Sequence, residues 1–192
     1  MRNEKFEEKI RRLMQCERLL IHETTANNII SVLEHGLMSL NEARARGIEV
    51  EEGGYAGGGG YGCFPNKVSL FEVPNFIKED YCHRIREIPL LVIDEKYAPH
   101  LDFNARHYHH TYEGIIAPED VLAVAVDLHS NIHVLGGNRL KSFGLLQHIL
   151  DLQRKRLDPE KRAPVFVYEE KDLQVLYLPE RLEISDEVRK AA

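Results

Sequence analysis

One stretch decides the fold of this chain: residues 20–37, LIHETTANNIISVLEHGL. Its first residues, together with Leu19, form a short apolar run that ends at a polar pair, which is typical of a buried strand. Thr25 is a good helix N-cap, and apolar residues follow on one side of the helix, namely Ile29, Ile30, Val32 and Leu33. Gly36 is expected to end this helix as a left-handed C-cap. The stretch therefore predicts a strand that runs directly into a helix.

The segments on either side of this stretch indicate the fold class. An amphipathic helix is predicted before it, over Asn3–Glu17, and Ser39 with Glu42 forms a capping box for a short helix after it. Strands are predicted at residues 67–71, 88–94, 112–116, 121–126, 164–168 and 174–177. One long helix is expected over Asn138–Arg156. Because helices come first and strands mostly follow, the order favours an α+β fold over a doubly wound sheet.

The composition limits the class of protein. The chain has 192 residues, 43% of them hydrophobic, so a single domain over residues 1–192 is expected. A net charge of −6 argues against generic binding to a nucleic-acid backbone. The three scattered cysteines predict neither a disulfide framework nor a CxxC zinc site, and no signal peptide or membrane-spanning run is recognisable. We therefore expect a cytoplasmic protein that does not enter the membrane.

His22 is the first residue with a candidate chemical role. It lies at the end of a predicted strand and directly before a helix N-terminus. A histidine in that place can point a ring nitrogen into a cleft floored by free backbone amides. The alternative is a structural histidine that satisfies a backbone carbonyl.

A glycine-rich loop provides the second candidate. Residues 53–62 include seven glycines and run into Tyr61-Gly62-Cys63-Phe64. Glycine allows a backbone to approach a ligand closely. The loop matches neither the phosphate-binding P-loop nor the dinucleotide fingerprint, because the residues that should follow or flank those motifs are missing. It is therefore either a ligand-binding loop of another kind or a surface loop.

Histidines and a carboxylate form the third candidate region. In an extended backbone His107 and His109, within the cluster His107–His110, would share one face and could offer two metal ligands, but a third ligand is not evident. A surface cluster is the alternative. Glu113 begins an otherwise apolar predicted strand. In a cleft its carboxylate can accept a substrate hydroxyl and oppose developing positive charge, whereas at a strand edge it faces water.

Three pieces of the sequence, taken in order, resemble the ADP-ribosyltransferase family. The first is residues 20–37, a strand with a histidine and a helix that ends in Gly-Leu. The second is the turn Tyr61–Phe64, followed by the serine-bearing strand Val68–Phe71. The third is Glu113–Val121, a glutamate that opens a late strand and is followed by a proline turn and another strand. The resemblance covers about residues 19–127, and the order and spacing of the pieces carry it.

The resemblance implies a fold and an activity. The fold is one of split antiparallel β-sheets, with N-terminal helices, one long helix in the C-terminal half, and NAD in a cleft between the sheets. NAD would donate ADP-ribose to a protein or nucleic-acid acceptor. His22 would hydrogen-bond a ribose of NAD. Glu113 would accept the 2′-hydroxyl of the nicotinamide ribose and stabilise an oxocarbenium-like transition state, so both residues are catalytic candidates. The further NAD contacts implied are Thr24, Tyr61, Gly62, Phe64, Ser69 and Phe71.

Two departures from the family pattern affect these expectations. The usual histidine–glycine–threonine beginning reads His22-Glu23-Thr24 in this chain. The residue two before the glutamate is often glutamate or glutamine in members that modify arginine, and it is Thr111 here, which argues against that class of target. A non-catalytic binding domain on the same fold therefore remains an alternative. A metal-dependent hydrolase that uses the His107–His110 cluster is another.

Overall fold

The computed structural model describes residues 4–18, 20–51, 66–72, 89–104, 109–127, 139–169 and 172–177. These ranges contain four α-helices: α1 (Glu4–Gln15), α2 (Ala26–His35), α3 (Leu40–Ala45) and α4 (Arg139–Arg156). They also contain eight strands: β1 (Leu20–Glu23), β2 (Val68–Glu72), β3 (Leu90–Ile93), β4 (Asp102–Asn104), β5 (His109–Tyr112), β6 (Val121–Asp127), β7 (Val165–Glu169) and β8 (Asp172–Tyr177). Short 3₁₀ helices span Glu95–His100, Pro118–Asp120 and Pro159–Lys161. The fold is α+β, as the order of the elements predicted.

The eight strands follow one hydrogen-bonded order, β4-β5-β2-β1-β3-β6-β7-β8. Neighbours are antiparallel except β6 and β7, which are parallel because the chain crosses over between them through α4. The resemblance implied two separate sheets, whereas here β2 joins the two parts. Residues 68–70 of β2 pair with β5, and residues 71–72 pair with β1. β2 therefore changes its partner halfway along its length.

Helices pack on both faces of the sheet. On one face α2 and α4 cover a core that includes Leu20 and Ile93. On the other face α1 covers a smaller core that includes Ile21 and Val92. Because side chains alternate along a strand, His22 lies on the side of Leu20, and the next residue, Glu23, lies on the side of Ile21.

The two predicted N-caps and the long helix are confirmed. The hydroxyl of Thr25 accepts a hydrogen bond from the amide of Asn28 at 3.4 Å, and the hydroxyl of Ser39 accepts one from Glu42 at 3.2 Å. The described part of the long helix α4 has the expected buried side, formed by Leu146, Ile149 and Leu150. Neither α4 nor any other helix in the described ranges is long and apolar enough to cross a membrane.

Two local predictions are wrong. Gly36 has a positive φ of 90°, but its ψ of 163° is extended, so it is not a left-handed helical cap. The strand predicted over residues 112–116 is absent from these described residues, because β5 ends at Tyr112 and Gly114 turns the chain with a φ of 140°. Glu113 therefore follows a strand instead of opening one. Ile116, farther along, is buried and forms an isolated bridge with Leu37 in the segment that follows α2.

Candidate functional site

The site is built where β1 and β2 separate. The two strands pair at Leu20↔Glu72 and Ile21↔Phe71, while on the other side β1 stays paired with β3 as far as Glu23. At His22 the imidazole Nδ1 lies 2.8 Å from the carbonyl oxygen of Ser69, a contact between residues 47 positions apart in sequence. His22 thus satisfies a backbone carbonyl of β2, the contact that the structural alternative expects, just beyond the last residue pair between the two strands.

The environment of His22 determines its protonation state. Burial lowers the pKa of His22 below its ordinary value, and the hydrogen bond to Ser69 acts in the opposite direction without cancelling this effect. The ring is therefore neutral at neutral pH. Because a carbonyl can only accept, Nδ1 carries the hydrogen, and Nε2 presents a lone pair to a further donor. A hydroxyl group is a donor of the required kind.

Glu113 lies directly after β5, on the far side of β2 from His22. Its Oε1 is 2.7 Å from Lys67 Nζ, and the same ammonium lies 3.3 Å from Asp102 Oδ2. The hydrogen bond from Lys67 to Glu113 is the largest cause that raises the pKa of this lysine, so the pair is ionic. The side chain of Glu113 is 71% exposed. A carboxylate thus stands at the surface of the site beside one lysine.

The strand register relates the two halves of the site. Ser69 pairs with Thr111 across β2 and β5, and Val68 pairs with Tyr112. Glu113 therefore comes opposite Lys67, about 6.6 Å along β2 from Ser69, since a strand rises about 3.3 Å per residue. The structure brings His22 and Ser69 into contact. Glu113 follows the strand on the other side of β2 and contacts Lys67, two residues along β2 from Ser69.

The remaining predicted NAD contacts differ in their surroundings. Thr24 is buried, and its amide donates to the carbonyl of Pro89 at 3.1 Å, which extends the pairing of β1 with β3. Phe71 is partly buried and packs against the smaller core. Tyr61, Gly62 and Phe64 lie outside the described residues.

Thr111, the residue two before Glu113 that is expected to bear on the choice of acceptor, is not accessible to an acceptor. Thr111 is 4% exposed, and its hydroxyl lies 3.5 Å from the carbonyl oxygen of Asp102. It supports the pairing of β4 with β5. The group that faces Glu113 in this region is Lys67 instead.

The histidine cluster offers no metal site in the described part of the chain. His107 lies outside it, and His109 belongs to β5. The Nε2 atom of His110 is 3.9 Å from a carboxylate oxygen of Glu72, and its ring packs against Phe103 at 5.2 Å. Among the residues described, no three His, Cys, Asp or Glu side chains are grouped to hold a metal ion.

Two residues near this site are not predicted from the sequence. In the sequence Lys67 is only the first residue of a predicted strand, and its pairing with Glu113 depends on the register of β2 with β5. Glu23 is a departure from the family pattern, and its burial does not follow from that departure. The Oε1 atom of Glu23 is buried and has no hydrogen-bond partner among the described residues, and burial raises its pKa to about 7. Strand alternation was the available signal, because it puts Glu23 on the same side as the core residue Ile21.

A large groove lies elsewhere on the molecule. It has a volume of about 820 Å³ and runs along α1, lined mostly by charged side chains such as Lys5, Glu8 and Arg11. It contains none of the predicted site residues, so its size does not identify the functional site.

No protein-family model matches this chain, and neither does any curated protein. The function must therefore be inferred from the chemistry of the site.

Proposed function

We propose that this protein transfers ADP-ribose from NAD to a macromolecular acceptor, either a protein or a nucleic acid. The observation that carries the proposal is the His22–Ser69 contact at the point where β1 and β2 separate, with Glu113 directly after β5, the strand that pairs with the other edge of β2. This arrangement offers a neutral hydrogen-bond acceptor on one side of β2 and a carboxylate on the other. Both are the groups that a ribose under attack at its anomeric carbon requires.

Each of the two groups has a separate task in this reaction. His22, held through Nδ1, accepts a ribose hydroxyl at Nε2 and orients the sugar. Glu113 accepts the 2′-hydroxyl of the nicotinamide ribose. As the bond to nicotinamide breaks, positive charge develops on the ribose, and the carboxylate opposes it. Nicotinamide leaves with the electrons of the broken bond, the acceptor atom forms a new bond to the same carbon, and the acceptor's proton passes to the solvent.

Lys67 competes with the ribose for the carboxylate of Glu113. In the free protein the ammonium of Lys67 lies 2.7 Å from this carboxylate, so a ribose hydroxyl must share or displace the contact. The contact places the positive charge of Lys67 beside the carboxylate on which the proposed role depends. Because Thr111 is buried and bonded to Asp102, residue 111 does not select an arginine acceptor here.

Calorimetric titration with NAD, combined with measurement of released nicotinamide, tests the proposal on wild type and Glu113→Gln. The substitution keeps the size of the side chain and removes its charge. We expect NAD binding to be retained and nicotinamide release to fall by on the order of 10²–10³-fold, the usual cost of losing such an electrostatic contact. Asp102→Asn is the matched control, because it removes the other carboxylate beside Lys67 and should leave release within a few-fold of wild type. Failure of wild type to bind NAD at millimolar concentration would reject the proposal.

A non-catalytic binding domain is the second candidate, and one observation favours it. The side chain of Glu113 is largely exposed and forms an ion pair with Lys67, as expected of a surface carboxylate without a catalytic role. For this candidate we expect wild type to release no nicotinamide, and Glu113→Gln to behave as wild type in every binding measurement.

A further inference from the structure

Glu113 begins a loop, residues 113–117, and the side chain of Tyr97 contacts the chain at both ends of this loop. Tyr97, in the 3₁₀ helix Glu95–His100, packs the edge of its ring against Tyr112 at 5.1 Å, directly before the loop. Its hydroxyl oxygen accepts a hydrogen bond from the amide of Ala117 at 3.4 Å, at the end of the loop. Tyr97 is 9% exposed and belongs to the main core, so the body of the fold holds it in place.

A buried carboxylate fixes the hydroxyl of Tyr97. This hydroxyl donates to Asp120 Oδ2 at 2.7 Å, while Asp120 Oδ1 accepts from Arg12 at 2.6 Å and from Lys96 at 2.6 Å. Burial tends to raise the pKa of Asp120, but the hydrogen bonds from Lys96, Arg12 and Tyr97 outweigh it and keep the pKa below its ordinary value. The hydroxyl of Tyr97 must therefore donate to Asp120, which leaves its lone pair for Ala117.

The centre of the loop is anchored separately. Ile116 forms a two-way backbone bridge with Leu37, with distances of 2.8 and 2.9 Å. Between this bridge and Tyr112 lie Glu113, Gly114 and Ile115, and Gly114 has a positive φ. The direction of the Glu113 side chain consequently depends on how firmly the two ends of this short segment are held.

From these contacts we propose that Tyr97 is a positioning residue: it fixes the loop that carries Glu113 and so sets where the Glu113 carboxylate stands. The role in catalysis rests on the proposed transfer of ADP-ribose. Tyr97 itself touches neither NAD nor the acceptor in this proposal and acts only through the loop. Displacing a catalytic group by about 1 Å can cost on the order of 10²-fold in rate.

The test compares Tyr97→Phe with Lys96→Met. The first variant keeps the ring and its contact with Tyr112 but removes both hydrogen bonds of the hydroxyl. The second removes a donor from the same Asp120 carboxylate, together with the ammonium 5.4 Å from the centre of the Tyr97 ring, and leaves the hydrogen bonds of Tyr97 in place. For each variant, kcat and KM for nicotinamide release from NAD are measured well below the unfolding temperature. Hydrogen exchange at the amide of Ala117 is measured on the same proteins.

We expect Tyr97→Phe to lower kcat by about 10-fold or more with KM for NAD nearly unchanged, and to speed exchange at Ala117. Lys96→Met should leave both readouts close to wild type. The proposal is overturned if Tyr97→Phe keeps kcat within about twofold of wild type, or if the control loses as much.

The exchange measurement separates this proposal from the proposed function. If wild type releases no nicotinamide, the transferase function fails, and exchange at Ala117 alone decides whether Tyr97 fixes the loop. Unchanged exchange in Tyr97→Phe would then reject the positioning role as well.

Discussion

At the scale of single residues, Glu23 is the most unusual side chain of the described structure. It lies between two residues of the candidate site, and its buried Oε1 lacks a hydrogen-bond partner in the structure. Loss of hydration disfavours the charged form of a carboxyl group, which is why burial raises its pKa to about 7. Between the ordinary glutamate pKa and about pH 7, the Glu23 carboxyl is therefore protonated in the folded protein and ionised in the unfolded chain.

Glu23→Gln should change the pH dependence of stability. The carboxyl group of wild-type Glu23 stays protonated in the folded state up to about pH 7. Its contribution to the free energy of unfolding is therefore complete below about pH 4.5 and is lost as the pH rises to 7. The loss is about 3 kcal/mol at most, because each tenfold change in proton affinity is worth about 1.4 kcal/mol. Above pH 7 we therefore expect the variant to be the more stable protein, as measured by urea unfolding between pH 4 and 8.

The exposed Glu49 supplies the control for this measurement. Glu49→Gln should show the same pH profile as wild type. If the profiles of wild type and Glu23→Gln stay parallel from pH 4 to 8, Glu23 does not carry a raised pKa.

At the scale of elements, the end of α2 is packed directly against the Glu113 loop. Gly36 has a φ of 90°, and a Cβ added there would lie 2.6 Å from the carbonyl oxygen of Ile116. Close approach of the two backbones allows Leu37 to form its bridge with Ile116. The Gly-Leu pair at the end of the helix is thus required by a tertiary contact as well as by the local backbone.

Gly36→Ala should destabilise the protein by about 2–3 kcal/mol or more, since it adds the cost of a positive φ to a backbone clash. It should also speed hydrogen exchange at Leu37 and Ile116. Gly144→Ala is the matched control: Gly144 lies in α4, and an added Cβ meets nothing within 4 Å. There we expect a gain of about 0.5–1 kcal/mol from helix propensity. Equal effects of the two changes in thermal unfolding would contradict this account of Gly36.

At the scale of the whole molecule, one arginine connects α1 to the rest of the fold. Arg12 Nε donates to Asp94 at 2.8 Å, its Nη2 donates to Asp120 at 2.6 Å, and its Nη1 donates to the carbonyl of Glu119 at 3.0 Å. Lys9, one turn earlier, donates to the carbonyl of Pro118 at 3.1 Å. These contacts join the N-terminal helix to the segment that follows the Glu113 loop.

Arg12→Met should lower the free energy of unfolding by about 3–5 kcal/mol, because it removes a charged partner from two buried carboxylates, Asp94 and Asp120. Adding Asp94→Asn should recover part of this loss, since Asp94 loses the ion pair that it makes with Arg12 while Asp120 stays paired with Lys96. Arg11→Met, on the exposed side of α1, should change stability by less than about 1 kcal/mol. Urea unfolding at pH 7 measures all three, and a small effect of Arg12→Met would show that the Arg12 contacts do not hold α1 in place.

The sequence by itself determined the features that depend on neighbouring residues. Thr25 and Ser39 were identified as caps because a hydroxyl reaches an amide three residues away. The buried side of α4 followed from helical spacing, and β3 from its continuous apolar run. The same reasoning failed after Tyr112, where apolar residues suggested a strand but the positive φ of Gly114 ended it.

Only the tertiary structure decided how the candidate site is arranged. His22 and Glu113 are candidates from their place in the sequence and Ser69 from the resemblance, but the bond from His22 to the Ser69 carbonyl depends on where β1 and β2 separate. The pairing of Lys67 with Glu113 depends on the register of β2 with β5, and the hold of Tyr97 on the loop depends on a carboxylate 23 residues away. Local patterns do not encode such contacts, because strand register and partner choice are set by the packing of the whole sheet against its helices.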